Sequence, residues 1–282
     1  TLVPYLETVG EQKTKPTQHS VKELQSLGLE PDMIVGRSED VLDEDVREKI
    51  ALFCDVEDEA VISDPDLEYI YELPIKLDEQ AVHEIVAEKM QLPDRSSGLE
   101  KWRSRVENLQ KDSIAEIAIC GKYTDIDDSY ASVEEALKHA GAELGGPVDI
   151  DYLGTEEFNE SMLEGYDGVI IPGGFGKRGV EGKIEAIRYC RENDVPILGL
   201  CYGMQLMTVE FARNVLGIEK AVSEEFATGE EGEEHVVAEM PGQKDIEEMG
   251  GTMRLGSYTA EIEGQVQEIY GQEAATERHR HR

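Results

Sequence analysis

From Ile117 to Cys201 the chain alternates short apolar runs with amphipathic stretches, a rhythm that restricts the folds open to it. Ile117-Ala118-Ile119-Cys120, Val148-Asp149-Ile150-Asp151-Tyr152, Gly168-Val169-Ile170-Ile171 and Pro196-Ile197-Leu198-Gly199-Leu200 are expected as strands, with helices over Ser132–His139 and Glu181–Glu192. Short apolar strands separated by helices imply an α/β fold with a mostly parallel sheet flanked by helices. The same rhythm runs through the first part of the chain. Asp32–Val35 and Ala60–Ile62 read as strands and Asp43–Phe53 as a helix. Val21, Leu24 and Leu27 mark a further helix, with Ser20 as N-cap and Gly28 as stop. Gln91–Asp112 interrupts the pattern: Leu92–Gly98 is rich in turn residues, and a charged stretch around Trp102 follows. The expected organisation is a first domain over 1–90, a linker over 91–112 and a second domain over 113–282.

Composition narrows the function classes. With 39% hydrophobic residues the chain has a globular makeup, and no apolar run reaches the roughly 20 residues needed to span a bilayer. A cytoplasmic protein is expected. Acidic residues outnumber basic ones 62 to 27, giving a net charge of -35. Such a chain repels phosphate backbones and anionic lipid heads, so neither nucleic acid nor a membrane is expected as a partner. High salt screens this self-repulsion, which points to a salt-rich source. The four cysteines show no CxxC pair and no zinc-like spacing with the six histidines, so no metal site is expected in this chain. Cys54, Cys120 and Cys190 read as buried structural thiols.

Cys201 reads differently. Gly199-Leu200-Cys201-Tyr202-Gly203 is a G-x-C-x-G pattern between an expected strand and an expected helix, the setting of a nucleophile elbow. A helix N-terminus favours anions, which suits a thiolate as the attacking species. Upstream, Ile171-Pro172-Gly173-Gly174-Phe175-Gly176 follows a strand expected beside the Cys201 strand, where backbone N–H groups could face a developing oxyanion.

These two motifs resemble the class I glutamine amidotransferases, whose cysteine attacks the side-chain amide of glutamine and releases ammonia. The resemblance implies a flavodoxin-like domain with Cys201 as nucleophile and Gly174 at the oxyanion and glutamine site. Tyr202, Gly203, Met204 and Gln205 would line the glutamine pocket, and Glu225, in Ser223-Glu224-Glu225-Phe226, would meet the glutamine α-amino group. Lys177–Gly182, Gly250–Gly256 and Glu277-Arg278-His279-Arg280-His281-Arg282 narrow the resemblance to the CTP synthase family, in which Arg282 would contact glutamine.

The first domain agrees. Lys13-Thr14-Lys15-Pro16-Thr17-Gln18 places two ammonium groups, two hydroxyls and an amide within six residues, on a loop because Pro16 opposes helix, just ahead of a helix N-terminus that favours anions. This alone reads as a phosphate-binding loop. The family resemblance implies that the string binds the UTP triphosphate and, overlapping it, the feedback inhibitor CTP. Lys49 would be a further nucleotide contact and Arg37 would face the ATP side.

The chain also departs from that family. Its incomplete P-loop-like synthase domain has no G-x-x-x-x-G-K-[ST] string, so the residues binding ATP and Mg²⁺ are expected before Thr1, and the His-Glu pair completing the triad after Arg282. The 282 residues alone are therefore expected to have negligible activity. The family implies a homotetramer. Two alternatives stay open: an amidotransferase serving another acceptor, such as a purine nucleotide, and a non-catalytic assembly protein.

Overall fold

The structure is a computed structural model that describes residues 1–93, 96, 98–121, 129–238 and 254–281, with backbone only at 254, 255 and 279–281. The chain divides into two compact units, one of residues 1–114 and 136–147, the other of 115–135 and 148–282.

The first unit opens with the short antiparallel pair β1 (Tyr5–Leu6) and β2 (Glu11–Gln12). There follow α1 (Lys15–Ser26), β3 (Ile34–Ser38), α2 (Glu44–Cys54), β4 (Val61–Pro65), α3 (Leu73–Glu79), α4 (Val82–Lys89) and α5 (Glu100–Leu109). Strands β3 and β4 are parallel, Ile34 opposite Val61 and Ser38 opposite Pro65. Their buried Ile34 and Val61 meet Val21 of α1 and Val46, Ile50 and Cys54 of α2, the i, i+4 stripe of that helix. The buried Gln12 fixes the start of α2. Its side-chain oxygen accepts from Asp43 N (3.1 Å) and its amide donates to Val41 O (3.1 Å).

One expectation is corrected here. Lys15–Gln18 are helical, because a proline in the first turn lacks only an amide hydrogen that has no intrahelical acceptor there. The helix thus begins five residues ahead of Ser20, and Thr14 precedes it. The charged stretch around Trp102 forms the helix α5, whose Trp102 Nε1 donates to Tyr71 O at 2.8 Å.

The second unit holds β5 (Ala115–Gly121), β6 (Val148–Gly154), β7 (Gly168–Ile171), α7 (Val180–Glu192), β8 (Ile197–Gly199), α8 (Tyr202–Asn214), β9 (Ala221–Ser223), β10 (Glu234–Val237), β11 (Arg254–Glu261), α9 (Gly264–Tyr270) and β12 (Ala274–His281), while α6 (Ala131–Leu144) is shared between the units. Four strands form one parallel sheet in the order β6-β5-β7-β8. Val169 and Ile171 of the wholly buried β7 and Ala118 and Cys120 of β5 pack in one cluster with Ile184, Ile187 and Cys190 of α7 and Leu206 and Val209 of α8. In this core Arg191 forks onto the buried carboxylate of Glu210, with Nε at 3.1 Å from both oxygens, and Asn214 adds a bond at 3.1 Å. Strands β11 and β12 pair antiparallel, Arg254 opposite His281 and Ser257 opposite Arg278, so Arg254–Gly256 and His279–His281 of the last two sequence motifs lie side by side. Among the described residues no helix is long and apolar enough to cross a membrane.

Candidate active site

Strand β8 delivers the chain into Cys201, which has φ 52° and ψ −103° and directly precedes α8. A β-carbon residue at positive φ is strained, and such strain recurs at elbows that present a nucleophile. Two glycines permit the turn. A Cβ on Gly203 would lie 2.0 Å from Ile171 O, and one on Gly199 would lie 2.7 Å from Met204 N. Leu200 N donates to Ile171 O at 2.9 Å, so the elbow is tied to the end of β7. Cys201 is exposed, whereas Cys54, Cys120 and Cys190 are buried. Burial pushes the Cys120 thiol up to about 12 and the Cys190 thiol up to about 11.

The glycine-rich loop follows β7, the neighbour of β8, as the sequence predicts, with Ile171 opposite Gly199. A Cβ on Gly173 would sit 3.5 Å from Cys201 Cβ and 3.8 Å from Leu200 O, so this loop runs beside the elbow. Gly174 is half-buried beside it. Two contacts from residues distant in sequence hold the loop. Glu225 Oε1 accepts from Gly176 N at 2.9 Å, and Lys177 Nζ donates to Ala227 O at 2.8 Å. Parallel pairing of β9 with β10 positions that anchor, with Glu224 N donating to Val237 O at 2.9 Å.

The remaining predicted residues fall as follows. Met204 is exposed and Gln205 half-buried on the first turn of α8, and Gly203 is buried against β7. The Tyr202 side chain, expected to line a pocket, is 4% exposed and lies inside the core. Its hydroxyl donates to Gly176 O at 3.0 Å. Arg282 lies outside the described residues. Among the described residues no side chain is hydrogen-bonded to Cys201 Sγ. Sequence reasoning missed Lys183, which is 2% exposed within the apolar stripe of α7. A lysine at an i+3 position after Val180 was the available signal.

In the first unit Lys13 Nζ pairs with Glu11 at 2.6 Å. Lys13, and with it Lys49 of α2, holds the Glu11 carboxyl below the usual carboxylate range, so two of the predicted cations face one acid. Lys15 Nζ lies 3.4 Å from Gln18 Oε1, and Gln18 Nε2 donates to Thr14 Oγ1 at 3.0 Å. The hydroxyls are turned inward: Thr14 and Thr17 are buried, and Thr17 Oγ1 donates to Leu2 O at 3.1 Å. Arg37 pairs with Asp66 at 2.6 Å and with Asp64 at 3.6 Å. Among the described residues no group of three or more His, Cys, Asp or Glu side chains is placed to hold a metal ion.

An exposed cysteine on a strained strand-to-helix turn beside an anchored glycine loop, in an α/β fold, is the arrangement that a thiol nucleophile requires. Comparison with known proteins carries this further. The family model described as glutamine amidotransferase class-I matches residues 125–282, and that described as CTP synthase N-terminus matches residues 1–92. A CTP synthase of Caldanaerobacter subterraneus subsp. tengcongensis is 52% identical over 290 residues, which are 100% of this chain and 53% of the relative. One of Haloarcula hispanica is 48% identical over 291 residues, 100% of this chain and 52% of the relative. The solved glutaminase domain of Trypanosoma brucei CTPS with bound acivicin is 38% identical, with a TM-score of 0.53, covering 60% of this chain and 67% of that one. The chain therefore belongs to the class I glutamine amidotransferases and, among them, to the CTP synthase family. It spans about half the length of the curated relatives it matches.

Proposed function

We propose that the whole protein converts UTP to CTP, using ammonia taken from glutamine at Cys201. The thiolate attacks the side-chain amide carbon, and the tetrahedral oxyanion is met by backbone N–H groups of the elbow and of the Gly174 loop. Collapse, with the amide nitrogen taking up a proton, expels ammonia and leaves a glutamyl thioester, which water hydrolyses to glutamate and the free Cys201 thiol. In the synthase domain O4 of UTP takes the γ-phosphoryl group of ATP, and ammonia displaces that phosphate to give CTP. Glu225 receives the glutamine α-amino group, with Met204, Gln205 and Arg282 completing the pocket.

Lys13, Thr14, Lys15, Pro16, Thr17, Gln18 and Lys49 form the UTP and CTP site, and Arg37 lies on the ATP side. The domain division at about residues 91–112, a homotetrameric, cytoplasmic enzyme and adaptation to high salt belong to the same reading. Mg²⁺ supplies charge neutralisation of the ATP phosphates when bound.

The observation that supports this best is the exposure of Cys201 at positive φ, beside the loop that starts at Gly173. The test is Cys201→Ala in the full-length protein. It should abolish glutamine-dependent CTP formation and spare the ammonia-dependent reaction. Equal loss of both would refute the assignment.

A further inference from the structure

Tyr202 occupies two places in the candidate site at once. As the first residue of α8 its amide is one of the leading N–H groups that have no intrahelical acceptor, and it directly follows the nucleophile. Its side chain turns inward, and its hydroxyl donates to Gly176 O at 3.0 Å, while Gly176 N donates to Glu225 Oε1 at 2.9 Å. One residue thus joins the elbow to the glycine loop and, through Gly176, to the Glu225 carboxylate.

The ring is supported from within. Lys183 Nζ lies 5.8 Å from the Tyr202 ring centroid, with both residues buried. An ammonium is drawn to an aromatic face, and more strongly where water is excluded. Lys183, 2% exposed among the buried Val180, Ile184 and Ile187 of α7, is a charged group that is costlier to bury than an apolar side chain. Burial and the Glu225 carboxylate hold the phenol protonated well above neutral pH, so its hydroxyl remains a donor.

We propose that Tyr202, seated on Lys183, is a positioning residue that sets the spacing between the elbow amide and the Gly174 loop, and so governs the rate of thioester formation rather than the affinity for glutamine. The proposal rests on the reading of Cys201 as nucleophile. Oxyanion donors act only where the developing charge will sit, so a small loop displacement lowers kcat with little effect on ground-state binding.

The experiment compares Tyr202→Phe, Lys183→Met and Lys183→Arg in the full-length protein, with Cys201→Ala as control. Glutamine hydrolysis gives kcat and KM, and iodoacetamide gives the reactivity of the thiol itself. Tyr202→Phe should lower kcat about tenfold while KM stays within about threefold and alkylation of Cys201 within about twofold. Lys183→Met should act in the same direction, and Lys183→Arg should recover kcat to within about threefold of the parent protein. A kcat within about twofold of the parent in Tyr202→Phe, a loss carried by KM, alkylation falling in step with kcat, or no recovery in Lys183→Arg would overturn the proposal. Glutamine hydrolysis persisting in Cys201→Ala would instead overturn the nucleophile assignment, whatever the Tyr202 variants do.

Discussion

Gly203 lies against the end of β7 so closely that a side-chain carbon on it would sit 2.0 Å from the Ile171 carbonyl oxygen. That oxygen already accepts from Leu200 N at 2.9 Å, so it cannot retreat without opening the elbow. Gly203→Ala should therefore cost about 3 kcal/mol, at the upper end of overpacking, as a lower denaturation midpoint in urea. A midpoint unchanged from the parent protein would show that the elbow is looser than described.

The Arg191–Glu210 pair should dominate the polar energetics of the second unit. Glu210 is 1% exposed and has Arg191 and Asn214 as its partners. Arg191→Met strands a buried carboxylate and should destabilise by roughly 3 kcal/mol, the low end for a broken buried pair because Arg191 is partly exposed. Adding Glu210→Met should restore most of the loss, and a double-mutant cycle by chemical denaturation measures this. Additive losses would remove the pair as the cause.

Thiol chemistry should separate the four cysteines. At pH 8 iodoacetamide should modify Cys201 first, with Cys54, Cys120 and Cys190 at least ~100-fold slower until the protein is unfolded. Burial raises all three of the slow thiols, so their thiolate fraction at pH 8 is small in the folded state. Mass spectrometry of the digested protein reads the order directly, and early modification of Cys120 would contradict it.

The turn at 228–233 should outlast ordinary acid conditions. Glu233 accepts from the Thr228 hydroxyl (2.7 Å), Thr228 N (2.9 Å) and Gly229 N (2.9 Å), which lowers its carboxyl to about 2. The folded value lies below the unfolded one of about 4.3, so its stabilising effect is complete above that pH and lost as pH falls through the folded value. A carboxyl NMR titration of Glu233 should show a midpoint near the low value, and one near 4 would discount these bonds.

For the nucleotide site, Lys13→Ala in the full-length protein should weaken UTP binding about tenfold, the low end for a charged hydrogen bond. Calorimetry at two salt concentrations checks this, since the effect should shrink as salt screens the ammonium. Unchanged affinity would move the triphosphate away from α1.

Much of this was legible along the chain because it is local. The strands of the parallel sheet, the helices between them, the elbow at Cys201 and the glycine loop each follow from apolar runs, glycine positions and a spacing of a few residues. The start of α1 was misplaced because Pro16 was read as a helix breaker, whereas a proline in a first turn forfeits no bond. What needed tertiary structure were pairings distant in sequence: Glu225 with Gly176, 49 residues apart, and Lys183 with Tyr202. Sequence by itself determined the fold class and the identity of the candidate nucleophile, since backbone geometry and burial period are written in neighbouring residues. Only the folded chain decided which carboxylate anchors the loop and that Tyr202 faces inward, because those outcomes depend on which surfaces the sheet brings together.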